Sequence, residues 1–133
     1  MIAAAKFTIK SGVDVSDPRF TRYLDLIGDH LGLTNDLASY EKEARALQDG
    51  ETKEMINIVV VMQNLMSLPS EATARAASFF YLLQVETWIS EEIERLATCE
   101  KLTDEEFVFL AASGNTFFCM TSSRHGGEAA RLV

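Results

Sequence analysis

Asn35-Asp36-Leu37-Ala38-Ser39-Tyr40-Glu41-Lys42-Glu43 lies inside a run of apolar residues at helical spacing. Asn35, Ser39 and Glu43 stand four residues apart. Along a helix each is turned only about 40° from the one before. An amide, a hydroxyl and a carboxylate therefore share one stripe over two turns. All three offer hard oxygen donors. Such a set suits magnesium, which takes few protein ligands and fills its octahedron with water and phosphate oxygens. Lys42, beside Glu43 and seven residues from Asn35, flanks the stripe within reach of a phosphate. Asp36 points about 100° away from Asn35 and is expected to hydrogen bond rather than to ligate.

The flanking sequence predicts further helices. Ser16-Asp17-Pro18 is a helix start, with a capping side chain before proline. Phe20, Tyr23, Leu24, Ile27, Leu31 and Leu33 or Leu37 then mark an apolar face to about Leu47, where Asp49-Gly50 stops the helix. Gly28 and Gly32, at i and i+4, suggest close helix packing or access for a ligand. Residues 51–66 read as a second helix. The most apolar run, residues 56–68, is broken by Gln63 and Asn64 and is too short for a bilayer, so it reads as a core helix. Ser70 caps a third helix after Leu68-Pro69, with Ala72, Ala76, Phe79, Leu83, Trp88, Ile89, Ile93 and Leu96 as its apolar positions to about Ala97. Thr103-Asp104-Glu105-Glu106 is a capping box. The last helix is expected from Asp104 to about Ser122. Phe79, Phe80, Tyr81, Trp88 and Phe117 are expected to be core aromatics, and His30 a surface or core histidine. No segment alternates with period two, so the expected fold is all-α, a bundle of about four to five helices. The expected organisation is an irregular segment over residues 1–17, a helical domain over 18–125 and a disordered tail over 126–133, opened by Gly126-Gly127. Phe7-Thr8-Ile9 would be a short extended piece or the end of a helix.

At 133 residues and 47% hydrophobic content the chain can bury a core. Its net charge of −8 speaks against nucleic acid, which needs a basic surface. A diphosphate held through metal ions stays compatible with that charge. Cys99 and Cys119 are too few for a disulfide framework or a zinc site, which points to a reduced, cytoplasmic setting. The apolar run at the N-terminus is too short for a secretion signal, and no membrane segment is expected.

The pattern (Asn/Asp)-Asp-(Leu/Ile/Val)-x-(Ser/Thr)-x-x-x-Glu at Asn35–Glu43 resembles the second metal-binding motif of class I terpene synthases. Its Lys42-Glu43 ending is similar to the form found in fungal sesquiterpene cyclases. The last helix adds a second resemblance. Gly114-Asn115 is followed by Phe118 and by Arg124-His125, where the family often has Gly-Asn, an aromatic and an Arg-Tyr pair. His125 departs from the tyrosine. An aspartate-rich first metal motif is absent from the sequence: Asp25 and Asp29 stand apart, and Asp104-Glu105-Glu106 reads as a first-turn cluster. The family's sensing arginine also has no match. The resemblance is thus to the C-terminal half of the class I terpenoid synthase fold, over residues 18–125.

The resemblance implies a magnesium-dependent terpene (sesquiterpene) synthase that ionises a prenyl diphosphate, farnesyl diphosphate being the commonest substrate of such relatives. Carried over, Asn35, Ser39 and Glu43 hold magnesium. Lys42, Arg124 and His125 bind the diphosphate, and Phe118 faces the carbocation. With one metal motif, the chain alone is expected to be weakly active or inactive and to form a homo-oligomer through apolar faces. The alternative expectation is a non-catalytic helical interaction module or truncated homologue.

Overall fold

A computed structural model of the chain describes residues 12–125, with side chains described over 12–114. Four α-helices follow a short 3-10 turn, and no strand occurs among the described residues. The expected all-α class is therefore found. The expectations for Phe7-Thr8-Ile9 and for the tail from Gly126 lie outside the described residues.

The caps explain where most helices begin and end. Asp17 Oδ1 accepts the Arg19 N–H at 2.9 Å, and Pro18 opens the 3-10 turn Pro18–Phe20. This turn runs into α1, Thr21–Gln48. At the other end Gly50 adopts φ 76°, its N–H reaches Leu47 O, and the Glu51 N–H reaches Ala46 O. That pairing closes the helix with a left-handed residue that suits glycine. Ser70 Oγ accepts the Thr73 N–H at 3.2 Å and starts α3, Glu71–Cys99. Thr103 and Glu106 form the reciprocal capping box that starts α4, Asp104–His125.

The second helix departs from expectation. It spans only Ile58–Leu65, here α2, and residues 51–57 are not helical. The reason is Asn57, which is extended at φ −146° and caps α2 by accepting the Val59 N–H. Asn and Asp side chains that satisfy the first N–H groups end a helix as firmly as they begin one. Apolar content alone carried the expectation too far upstream.

The described residues form two compact units. One comprises those up to Ile27 and those from Glu86, and the other is Gly28–Val85. In the first, Val13, Phe20, Tyr23, Ile27, Ile89, Leu96, Phe109 and Leu110 are buried. Tyr23 meets Phe109 edge to face at 6.4 Å and its hydroxyl lies 2.5 Å from Ser113 Oγ. Arg19 pairs with Asp17 and Glu106, both at 2.7 Å. These bonds hold the Asp17 carboxyl below its usual range, first through the Arg19 side chain and then through its backbone N–H. In the second unit Tyr40, Val59 and Ala74 form a core, with Leu37, Ala44, Met55, Ile58, Val60 and Leu68 packed against it.

The buried stripe of α3 also differs from expectation. It is Ala74, Ser78, Leu82, Val85, Ile89, Glu92 and Leu96, at steps of three and four. Phe80 and Tyr81, expected in the core, are exposed, as is Leu83. Phe79 and Trp88 are half-buried. Apolar residues occur on several faces of this helix, while two of its buried positions are polar. Ser78 donates to Ala74 O at 2.8 Å, and Glu92 accepts three bonds from Arg95. Each inward polar group is thus satisfied locally. In α1, Leu31 is exposed and His30 is the buried residue at that turn. Among the described residues no helix is long and apolar enough to cross a membrane.

Candidate metal and diphosphate site

Helix α1 turns Tyr40 inward and leaves the opposite face to solvent. Tyr40 is buried, with the Arg75 guanidinium 5.5 Å over its ring. Arg75 also pairs with Glu41 at 3.2 Å and Glu71 at 3.8 Å. Burial, and then the nearby Glu71 carboxylate, push the Tyr40 hydroxyl above its usual value. With Tyr40 anchored, the stripe turns progressively away from the buried face. Asn35 and Lys42 are exposed, while Ser39 and Glu43 are half-buried.

The Ser39 hydroxyl donates to Glu43 Oε1, which brings two of the three expected ligands together. Glu43 Oε2 accepts from Asn57 Nδ2 at 3.1 Å. Asn57 Nδ2 also donates to Asp36 O at 2.8 Å, and its Oδ1 accepts the Val59 N–H at 3.1 Å. Asp36 Oδ2 accepts the Ile58 N–H at 2.8 Å. Asp36 is thus a hydrogen-bonding residue, as its angle around the helix predicts. Asn57 was not singled out from sequence. Its one signal was position: an asparagine immediately before an apolar helix is a capping signature.

The chemistry of this set fits a hard cation. Ser39 keeps lone pairs while its proton is committed to Glu43 Oε1. That carboxylate oxygen also retains acceptor capacity. Asn35 stands one turn earlier on the same stripe, with its amide open to solvent. Among the described residues no three His, Cys, Asp or Glu side chains gather in a metal-holding group. The stripe itself contributes a single carboxylate, so neutral oxygens and ligand oxygens must complete any coordination here. Glu106 is committed to the α4 cap and to Arg19, in keeping with the reading of Asp104-Glu105-Glu106 as a first-turn cluster.

Phe118, Arg124 and His125 belong to the last turns of α4, and their side chains lie outside those described. Gly114, which opens the second motif, is described. A Cβ there would stand 3.0 Å from Ile93 Cδ1, so the glycine marks where α4 approaches α3. Gly28 and Gly32 face no described atom within 4 Å of a Cβ, and the close packing expected of them is not found.

The described residues are helical and carry a stripe of oxygen donors on one helix. Residues 6–79 match the family model described as terpene synthase family 2, C-terminal metal binding, and the chain belongs to that family. It is also 30% identical over 139 residues to the terpene cyclase aneC of Aspergillus aculeatus (strain ATCC 16872 / CBS 172.66 / WB 5094). That alignment takes in 100% of this chain and 31% of the relative, so the chain spans about a third of its length. The family's description implies a metal cofactor.

Proposed function

We propose that the chain carries one metal half-site of a magnesium-dependent terpene synthase acting on a prenyl diphosphate, with farnesyl diphosphate as the substrate. The observation that carries this reading is the Ser39–Glu43 pair, held against Asn57 within the segment that matches the family. Asn35, Ser39 and Glu43 are the magnesium ligands. Bound magnesium supplies the positive charge that this acidic chain lacks and so eases departure of diphosphate. Lys42 binds a phosphate oxygen from the exposed side of the stripe. Arg124 and His125 donate to the diphosphate, and the ring face of Phe118 stabilises the allylic cation left on the substrate, by roughly 0.5–2 kcal/mol. Groups that act together lose activity out of proportion when one set is missing. With one motif in its sequence, this chain binds diphosphate but turns over prenyl diphosphate weakly or not at all.

Calorimetry tests the assignment. Heat from inorganic diphosphate that requires magnesium, and that disappears in Glu43→Gln, is the expected result. No heat from a folded sample would sink the reading.

A second reading, a helical interaction module of the same descent, is favoured by apolar side chains left in solvent. Ile56, Leu65 and Met66, at the two ends of α2, are 84%, 78% and 53% exposed. Both readings predict a homo-oligomer. A monodisperse monomer in sizing and light scattering at micromolar concentration would remove that part of the proposal.

A further inference from the structure

We propose that Asn57 is the positioning residue of the half-site, and that it ties ligand binding at Glu43 to the order of the α2 N-terminus. The inference rests on the reading of Glu43 as a metal-binding residue. Asn57 is 1% exposed, and its amide is committed on every side. Nδ2 donates to Glu43 Oε2 and to Asp36 O, and Oδ1 accepts the Val59 N–H. An amide has two N–H donors, and both are used here. Flipping it would turn Oδ1 toward the Glu43 carboxylate and leave the Val59 N–H facing a donor. Its orientation is therefore fixed by all three partners together.

That fixed amide sets the geometry of Glu43. A glutamate on a solvent-facing helix stripe samples several rotamers and loses that freedom when a ligand arrives. Asn57 holds Oε2 on the protein side and leaves Oε1 beside the Ser39 hydroxyl. The carboxylate is thus ordered in advance, which strengthens binding without a further contact to the ligand. Partners of this kind, one bond removed from the metal, typically alter affinity by about 10- to 100-fold.

The same amide caps α2. Any state in which Glu43 is drawn into place by a ligand favours the arrangement in which Asn57 donates to it. That arrangement also satisfies the Val59 N–H. Binding at Glu43 therefore favours the capped start of α2, and the coupling runs in both directions.

Two substitutions separate positioning from capping. In Asn57→Ser the hydroxyl still caps Val59 but is too short to reach Glu43. In Asp36→Ala the Ile58 cap is lost while the amide–carboxylate bond remains. Magnesium with inorganic diphosphate is titrated into each full chain by calorimetry, and amide hydrogen exchange is followed at Val59 with and without that probe. The expected result is binding by the wild type, roughly tenfold or more weaker binding by Asn57→Ser, Asp36→Ala within about threefold of wild type, and slower Val59 exchange on binding. If the wild type binds but Asn57→Ser binds equally well, Asn57 does not position Glu43 and the half-site reading survives. If the wild type binds nothing, both fall. Should Asn57→Ser fail to fold, the wild-type exchange decides alone: slowing at Val59 upholds the coupling, and unchanged exchange at saturation overturns it.

Discussion

Glu92 shows how much the surroundings of one residue decide. Its side chain is 1% exposed, yet it carries a carboxylate. Arg95 binds it from one turn on, at 2.7 to 3.1 Å, and Arg22 Nε stands at 3.5 Å. The two sides of this pair are not equivalent. Removing Arg95 strands a buried charge, whereas neutralising Glu92 leaves two arginines that already reach water. Arg95→Ala is therefore expected to cost about 2–3 kcal/mol, less than a fully buried pair because Arg22 remains. Glu92→Gln should cost about 1 kcal/mol. Urea unfolding followed by circular dichroism checks the order, and equal losses would show that burial of Glu92 does not control the pair. The site follows the same distinction between near and far neighbours. That Asn35, Ser39 and Glu43 share one stripe of α1 was legible because helical spacing is visible in sequence. Asn57 was not, because its bond to Glu43 depends on the path of the loop over residues 51–57.

The helices obey their end signals more closely than their apolar content. Capping at Asp17, Ser70 and Thr103 stood in the sequence as it stands in the structure, since each involves residues two or three apart. The start of α2 did not, because its signal is a single asparagine, Asn57, beside a longer apolar stretch that reads as helix by content. On α3, the buried serine and glutamate cannot be told from surface residues by hydropathy, so the inward stripe was misplaced. Glycines give an element-scale prediction with opposite signs. Gly28 and Gly32 are exposed within α1 and meet no described atom, so Ala at either is expected to stabilise by about 0.5–1 kcal/mol. Gly50 closes the same helix at φ 76°, where a Cβ is strained, so Gly50→Ala should destabilise by about 1 kcal/mol. Thermal unfolding of the three variants tests this. A Gly28 or Gly32 variant that loses stability would mean that the open face is covered in solution.

The two compact units each bury a tyrosine, and this gives the whole molecule a pH response on its alkaline side. Burial pushes the Tyr23 hydroxyl above its ordinary value of 10.0, more than its bond to Ser113 pulls it down. Ser113 Oγ donates to Phe109 O, so the proton between Tyr23 and Ser113 is the tyrosine's. Tyr40 in the other unit is raised as well, by burial and then by Glu71. An unfolded chain releases these protons near pH 10, while the folded chain still holds them. Over that window the unfolded state binds fewer protons, so stability falls as pH rises. The contribution is fully present below the unfolded value and is lost as pH climbs through the folded one. Tyr23→Phe keeps the ring packed on Phe109 and leaves Ser113 bonded to Phe109 O, at a cost of about 0.5–1.5 kcal/mol at neutrality. Its stability should then decline less steeply than that of the wild type toward about pH 11. Tyr40→Phe should flatten the decline as well, because its hydroxyl is also raised. Urea midpoints measured from neutrality upward decide the matter. Parallel declines in wild type and both variants would place the alkaline sensitivity on groups other than these two tyrosines.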